Sequence, residues 1–145
     1  MTSVREQCLL TLFTKLQTLQ TSTRSVFRNR TEVTDVPADG VVILNDGVPG
    51  EPEVLLSPTL YIYDHTAELL VIVKDRDEND RSTLLDDLLL LINGVILANV
   101  ELEGYAEYLR AEAPDVSTDY LEGGIPIKYA TVPILIRYHT TSPLA

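Results

Sequence analysis

Cysteine, histidine and positive charge are all scarce in this chain. One cysteine, Cys8, stands in 145 residues. A lone thiol cannot close an internal disulfide, so the fold is not a stapled secreted framework. Two histidines, His65 and His139, are the only imidazoles available to serve Cys8 as a base, and neither sits in a recognisable motif. His65 follows a tyrosine-rich run and His139 closes another, so both read as polar residues at strand ends. Cys8 falls on the apolar stripe of a helical pattern and reads as a small buried hydrophobe. The Gly-x-Ser-x-Gly elbow, the phosphate loop and the dinucleotide fingerprint are missing, and with them the commonest routes to an enzyme. Long hydrophobic runs are missing too. The longest block, "LLLLINGVILA" from Leu88 to Ala98, is broken by Asn93 and Gly94. It falls short of the ~18 residues that span a bilayer. Arg5 precedes only the short patch "CLLTLF", which is not an export signal, so the expectation is a soluble, cytoplasmic protein with no membrane partner. Eleven bases face twenty-two acids, a net charge of −11. Such a surface does not grip phosphates, although it suits one that surrounds DNA without sticking to it.

What is present is a well-patterned globular domain. This length suits a single domain, residues 1–145, able to bury roughly 68–70% of its unfolded surface. Ser3-Val-Arg-Glu6 reads as a capping box, and Val4, Cys8, Leu9, Leu12, Phe13, Leu16 and Leu19 continue at helical spacing to about Gln20. "VFRN" suggests a short strand and "VVILNDG", Val41 to Gly47, a strong one. "VPGEPE" reads as a loop or a wide hairpin tip. Val54 to Lys74 is strand-rich, with Pro58 marking an edge or a strand start. Tyr61, Tyr63 and His65 share one face there, and the apolar Leu69 to Val73 stretch predicts burial on both faces. A second helix is expected from about Glu78 to Ala98. Its apolar arc is wide enough to be buried on more than one side or packed on a partner chain. Gly104 to Pro114 alternates as a strand, "DVSTDYLEGGIP" reads as a polar loop, and Ile127 to His139 is the last strand, with Pro133 predicting an edge or a bulge. The fold class is therefore α+β, a mainly antiparallel sheet with two helices packed on it.

Two clusters invite a site. "DRDENDRSTLLD" places Asp75, Asp77, Asn79, Thr83 and Asp86 at positions one, three, five, nine and twelve, the ligand spacing of a calcium loop. Yet position six is Asp80 where the turn wants glycine, position twelve is an aspartate, and a strand precedes the loop where a helix is needed. The better reading is a helix start, capped by Asp77, with Asp80 in the first turn. No metal and no cofactor is expected. Arg24, Arg28 and Arg30 make a local positive patch, either solvated surface or an arginine rim that docks an acidic neighbouring subunit.

The whole pattern resembles a known family. The stretch "VVILNDGVPGEPEVLLSPTLYIYDHTAELLVIV", then the "DRD…LLDDLLLLI" helix, then "IPIKYATVPILIRYHTTSPLA" follow one another as in the tail terminator, or tail completion, proteins of long-tailed phages, prophages and gene-transfer particles. The likeness is clearest over Val41 to Val73 and Ile125 to Leu144. It implies a structural virion protein and not an enzyme: a homo-oligomer, a hexameric ring, at the head-proximal end of the tail. Such a ring sits on the last layer of the major tail tube protein, stops its polymerisation and presents a surface to the head–tail connector protein. It assembles in the host cytoplasm, and DNA passes through its centre without specific binding. Another head–tail joining or tube protein of the same particle is the alternative. Under this reading the contact elements are the loops. The first is an extended hairpin loop at about residues 45–58, carrying Asn45, Asp46, Val48, Pro49, Glu51 and Pro52. The second is Ser117 to Pro126, with Tyr120 and Leu121, and the third is the C-terminal tail, residues 139–145.

Overall fold

Two amphipathic helices lie across one face of a mixed, mostly antiparallel seven-stranded sheet. The computed structural model describes residues 1–33, 35–120 and 124–145, Tyr120 by its backbone alone. Helix α1, Val4–Leu16, starts where Ser3 Oγ accepts the Glu6 amide at 3.2 Å. Glu6, the other half of the expected capping box, instead sends its carboxylate to Arg28. A 3-10 turn, Gln17–Leu19, completes the segment. Strands β1 (Ser25–Arg28), β2 (Val41–Val48), β3 (Glu53–Leu55) and β4 (Leu60–Lys74) follow. Helix α2 (Glu78–Ala98) leads to β5 (Tyr108–Ala111), β6 (Asp115–Tyr120) and β7 (Pro126–Thr140). The order across the sheet is β1-β2-β4-β7-β5, with β3 beside β4 and β6 beside β7. Among the described residues only β1 and β2 pair in parallel. This is the α+β architecture that the element order predicts.

Alternation sorts each strand between two environments. Val42, Leu44, Leu69, Val71, Ile134 and Ile136 point to the helices and meet Cys8, Leu12, Leu16, Leu88 and Ile92 in the main core. On the opposite face, the segment around Val33 and Val36 folds over Val41, Ile43, Ile72 and Ile127 to make a second, smaller core. The C-terminal half of β4 is therefore buried on both sides, as its unbroken apolar run requires. Its N-terminal half has one open face, where Asp64, Thr66 and Glu68 are exposed.

Three expectations are corrected or narrowed. Residues 115–120 are not loop but strand β6, paired antiparallel with β7 from Asp115↔Thr131 to Tyr120↔Pro126. Of the two places expected for Pro133, an edge or a bulge, the edge is excluded, because β7 is central, with β4 on one side and β5 and β6 on the other, and the bulge is found: three residues, 112–114, oppose Val132 and Pro133. The Pro133 carbonyl accepts the Glu112 amide at 2.8 Å, in the gap where β5 has ended and β6 has yet to start. In an antiparallel ladder one residue's N–H and C=O point to the same side. The donor that proline lacks therefore faces this gap, where no rung is lost. Helix α2 is buried on one side only, through Leu85, Leu88, Ile92 and Ile96, while Leu90, Leu91 and Leu97 face outward.

Candidate assembly surfaces

A long hairpin arm at one end of the sheet is built by β4 and the interrupted strand beside it, with β7 along the other side of β4. Strand β2 runs antiparallel to β4 as far as Val48↔Thr66, the chain loops out over residues 49–52, and β3 resumes on the same edge at Glu53↔Ile62. The turn of this long hairpin is therefore residues 56–59, with Leu56 77% exposed. The Pro49–Pro52 segment, which the sequence suggests as a hairpin tip, is a bulge in the edge strand. This arm presents Val48, Val54, Leu55 and Leu56, all exposed apolar side chains.

Its root is fixed by a chain of polar contacts through five elements. Between Asn45↔Glu68 and Val48↔Thr66 the ladder slips, so that two residues, Asp46 and Gly47, oppose Ala67. Gly47 takes φ +67, and a Cβ there would lie 1.8 Å from the Thr66 carbonyl oxygen, so only glycine fits. The Asp46 carbonyl, displaced from the ladder, is taken by Nε2 of His65. A carbonyl only accepts, so Nε2 carries the proton and Nδ1 accepts from the Tyr138 hydroxyl at 3.2 Å. His65 is thus 1% exposed and internal to β4, not the strand-end residue that its sequence context suggests. Burial holds its imidazole below the ordinary value, although the Asp46 carbonyl pulls the other way. Arg28 reaches the same root from β1, with Nε to Asp46 Oδ1 at 2.8 Å and Nη1 to Glu6 Oε1 at 2.7 Å. This forked pairing holds the Glu6 carboxyl below its usual range. For Asp46, burial pushes the carboxyl up, but Arg28 and Asn29 bring it down on balance. Asn29, at φ 54, adds an Oδ1 acceptor for the Asp46 amide at 3.0 Å.

The three arginines have different partners. Arg28 is occupied inside the chain, its side chain 17% exposed. Arg24 donates to the Leu19 and Asp39 carbonyls, and Arg30 lies 3.8 Å over the Phe27 ring. Of the arm residues, Asn45, Asp46, Pro49 and Pro52 are half-buried while Val48 and Glu51 are exposed. Tyr120 ends β6, and Leu121 lies outside the described residues. Cys8 is buried and donates to the Tyr105 carbonyl at 3.4 Å; burial pushes its thiol up to about 12, which makes it inert. The calcium-like window does start a helix. Asp77 caps α2 by accepting the Asn79 amide at 2.8 Å, and Asp75 accepts the Asp77 amide at 2.9 Å. Among the described residues no group of three or more histidine, cysteine or acidic side chains is placed to hold a metal ion.

The uncovered sheet face is acidic. By strand register Glu53, Asp64, Glu68, Asp115 and Asp119 lie on it. Three bases, Lys74, Arg110 and Arg137, stand among these five acids; Arg137 has Nη1 3.0 Å from Asp64 Oδ1 and Nε 3.1 Å from Glu107 Oε2. An unforeseen turn follows α2. Leu102, Glu103 and Gly104 take φ 47, 59 and 93, and two non-glycine residues in that region are strained. No family model matches the chain, and no curated protein matches it.

Proposed function

We propose that this chain is a ring-forming terminator of a phage tail tube, which stops tube growth and joins the tube to the head connector. The observation that carries the reading is the arm: a hairpin of β3 and β4, backed by β7, with a locked root and an apolar tip that its own chain leaves in water. An apolar tip of this kind is a contact element awaiting a complement. A tip fitted to a different patch on the next copy is a head-to-tail interface, and such an interface makes a ring when the rotation between copies closes and a filament when it does not. Two further features support it. The edges at β3, β5 and β6 are short, as natural edges are, yet leave main-chain groups for a neighbour to pair. The acidic sheet face is suited to line a passage along which DNA slides, because it repels phosphate.

The test uses tail tube protein polymerising in vitro, viewed by negative stain, with sedimentation of the chain alone. The expected result is one ring at one end of tubes whose length stops increasing. The variant Val48→Asp/Leu55→Asp/Leu56→Asp is expected to stay folded, remain monomeric and leave tubes growing. A chain that stays monomeric both alone and with tube protein defeats the proposal. A chain that adds itself along the tube is a tube protein instead.

A further inference from the structure

Helix α2 carries more leucine than its own core uses. Leu90, Leu91 and Leu97 are 61%, 43% and 66% exposed. Between Leu90 and Leu97, one turn from each, lies Gly94. Glycine weakens a helix interior, and nothing inside the chain asks for it here, since a Cβ at Gly94 would meet no atom within 4 Å. What Gly94 supplies is room on the outer surface, where a second backbone can approach between two leucine ridges. The ridge runs into a hollow of about 670 Å³ lined by Leu97, Ala98, Val100 and Leu102, with Glu101 and Glu103 among its walls. The strained Leu102–Gly104 turn forms part of that hollow.

Charge identifies the occupant. Asp86 and Asp87 stand one turn ahead of Leu90, and Glu101 is exposed beyond the helix end. Among the described residues no side chain pairs with any of these three; Glu103 is bridged to Lys15 at 2.8 Å. The last turn of α2 has no basic residue, so the negative end of the helix dipole is not offset there. Two copies meeting through α2 would bring the same acids together, and a second copy's arm would add Glu51 and Glu53. We infer that the outer face of α2 and the hollow at its end dock an amphipathic helix of a different protein, one whose apolar ridge is bracketed by lysine or arginine. The ridge packs over Gly94 between the leucines. A terminal lysine or arginine lays its aliphatic stem on Leu97 and Val100 and sets its cation beside Glu101 and the last carbonyls of α2.

The test titrates the full chain with a synthetic helical peptide that carries leucines at i, i+3, i+4 and i+7 flanked by lysines. Binding is followed by amide NMR and calorimetry. Shifts are expected around Leu90, Gly94, Leu97 and Glu101, with affinity that falls as salt rises. Gly94→Leu fills the approach without touching the core. It should keep or raise Tm while lowering affinity at least about tenfold. The triple variant Asp86→Asn/Asp87→Asn/Glu101→Gln should bind weakly and lose most of the salt dependence. The inference is overturned by absence of binding, by equal affinity for a glutamate-flanked peptide or for Gly94→Leu, or by shifts elsewhere on the chain. Self-association of the chain that Leu90→Gln abolishes would overturn it as well, by assigning the face to a second copy.

Discussion

At the scale of single residues, the arm depends on two, Gly47 and Arg28. Gly47 is held where any Cβ would overlap the Thr66 carbonyl. Gly47→Ala therefore forces the bulge apart, and unfolding in denaturant should show a loss of at least about 1–2 kcal/mol. Arg28 holds two carboxylates that otherwise face each other. Arg28→Met leaves Glu6 and Asp46 with unmatched charge in a partly buried place, and the same measurement should show about 1–3 kcal/mol lost. Acid acts on this network in two windows. His65 has its folded pKa below the ordinary 6.5. The folded chain thus binds fewer protons than the unfolded one. The contribution of His65 is complete above about pH 6.5 and declines as pH falls through its lowered folded value. Glu6 and Asp46 are also lowered, from 4.5 and 3.8, so their contribution is complete above those values and lost at lower pH still. Thermal melts should show Tm falling below pH 6.5 in the native chain, and His65→Gln should flatten that first decline while leaving the second. The inert Cys8 was readable from periodicity. His65 was not, because its burial follows from the carbonyl that a bulge displaces, and the glycine that marks a bulge serves equally well in a loop.

At the scale of elements, Gly94 gives a clean prediction. Its added methyl in Gly94→Ala points into open space, so helix propensity alone decides, and chemical denaturation should show a gain of about 1 kcal/mol. Both helices were legible in the sequence, as were the long strands, because apolar period and caps act locally. Register and neighbourhood were not. Strand β6, "DVSTDY", has one large aliphatic residue, Val116, and it is 43% exposed; the main-chain ladder to β7 keeps it in place, and that ladder has no side-chain code. The glycines and prolines of residues 47–52 announced a break in regular structure, but a bulge and a hairpin tip share that chemistry. Only the pairing of β3 with β4 moves the tip to residues 56–59. The wide apolar arc of α2 was read as burial on more than one side or packing on a partner chain, and the first of these does not occur. Which of its leucines lacked a home depended on the sheet beneath.

At the scale of the whole molecule, a charge of −11 opposes any gathering of copies. Screening shortens the reach of that repulsion to about 10 Å at 0.1 M salt and less above it. Ring formation should therefore rise with salt, and sedimentation across a salt series should show the oligomer growing at the expense of monomer. The opposite trend would mean that contacts between unlike charges hold the copies together. Strands β4 and β7 also set how the molecule answers force. They match rung for rung from Tyr61↔Thr140 to Lys74↔Ile127, and the arm's turn opens directly onto this pair. A pull on that turn along the strand axis loads the rungs in shear, all together, instead of unzipping them singly. The pair thus behaves as a spar. A tug at its distal end is felt where α2 begins, and little of the motion dissipates in between.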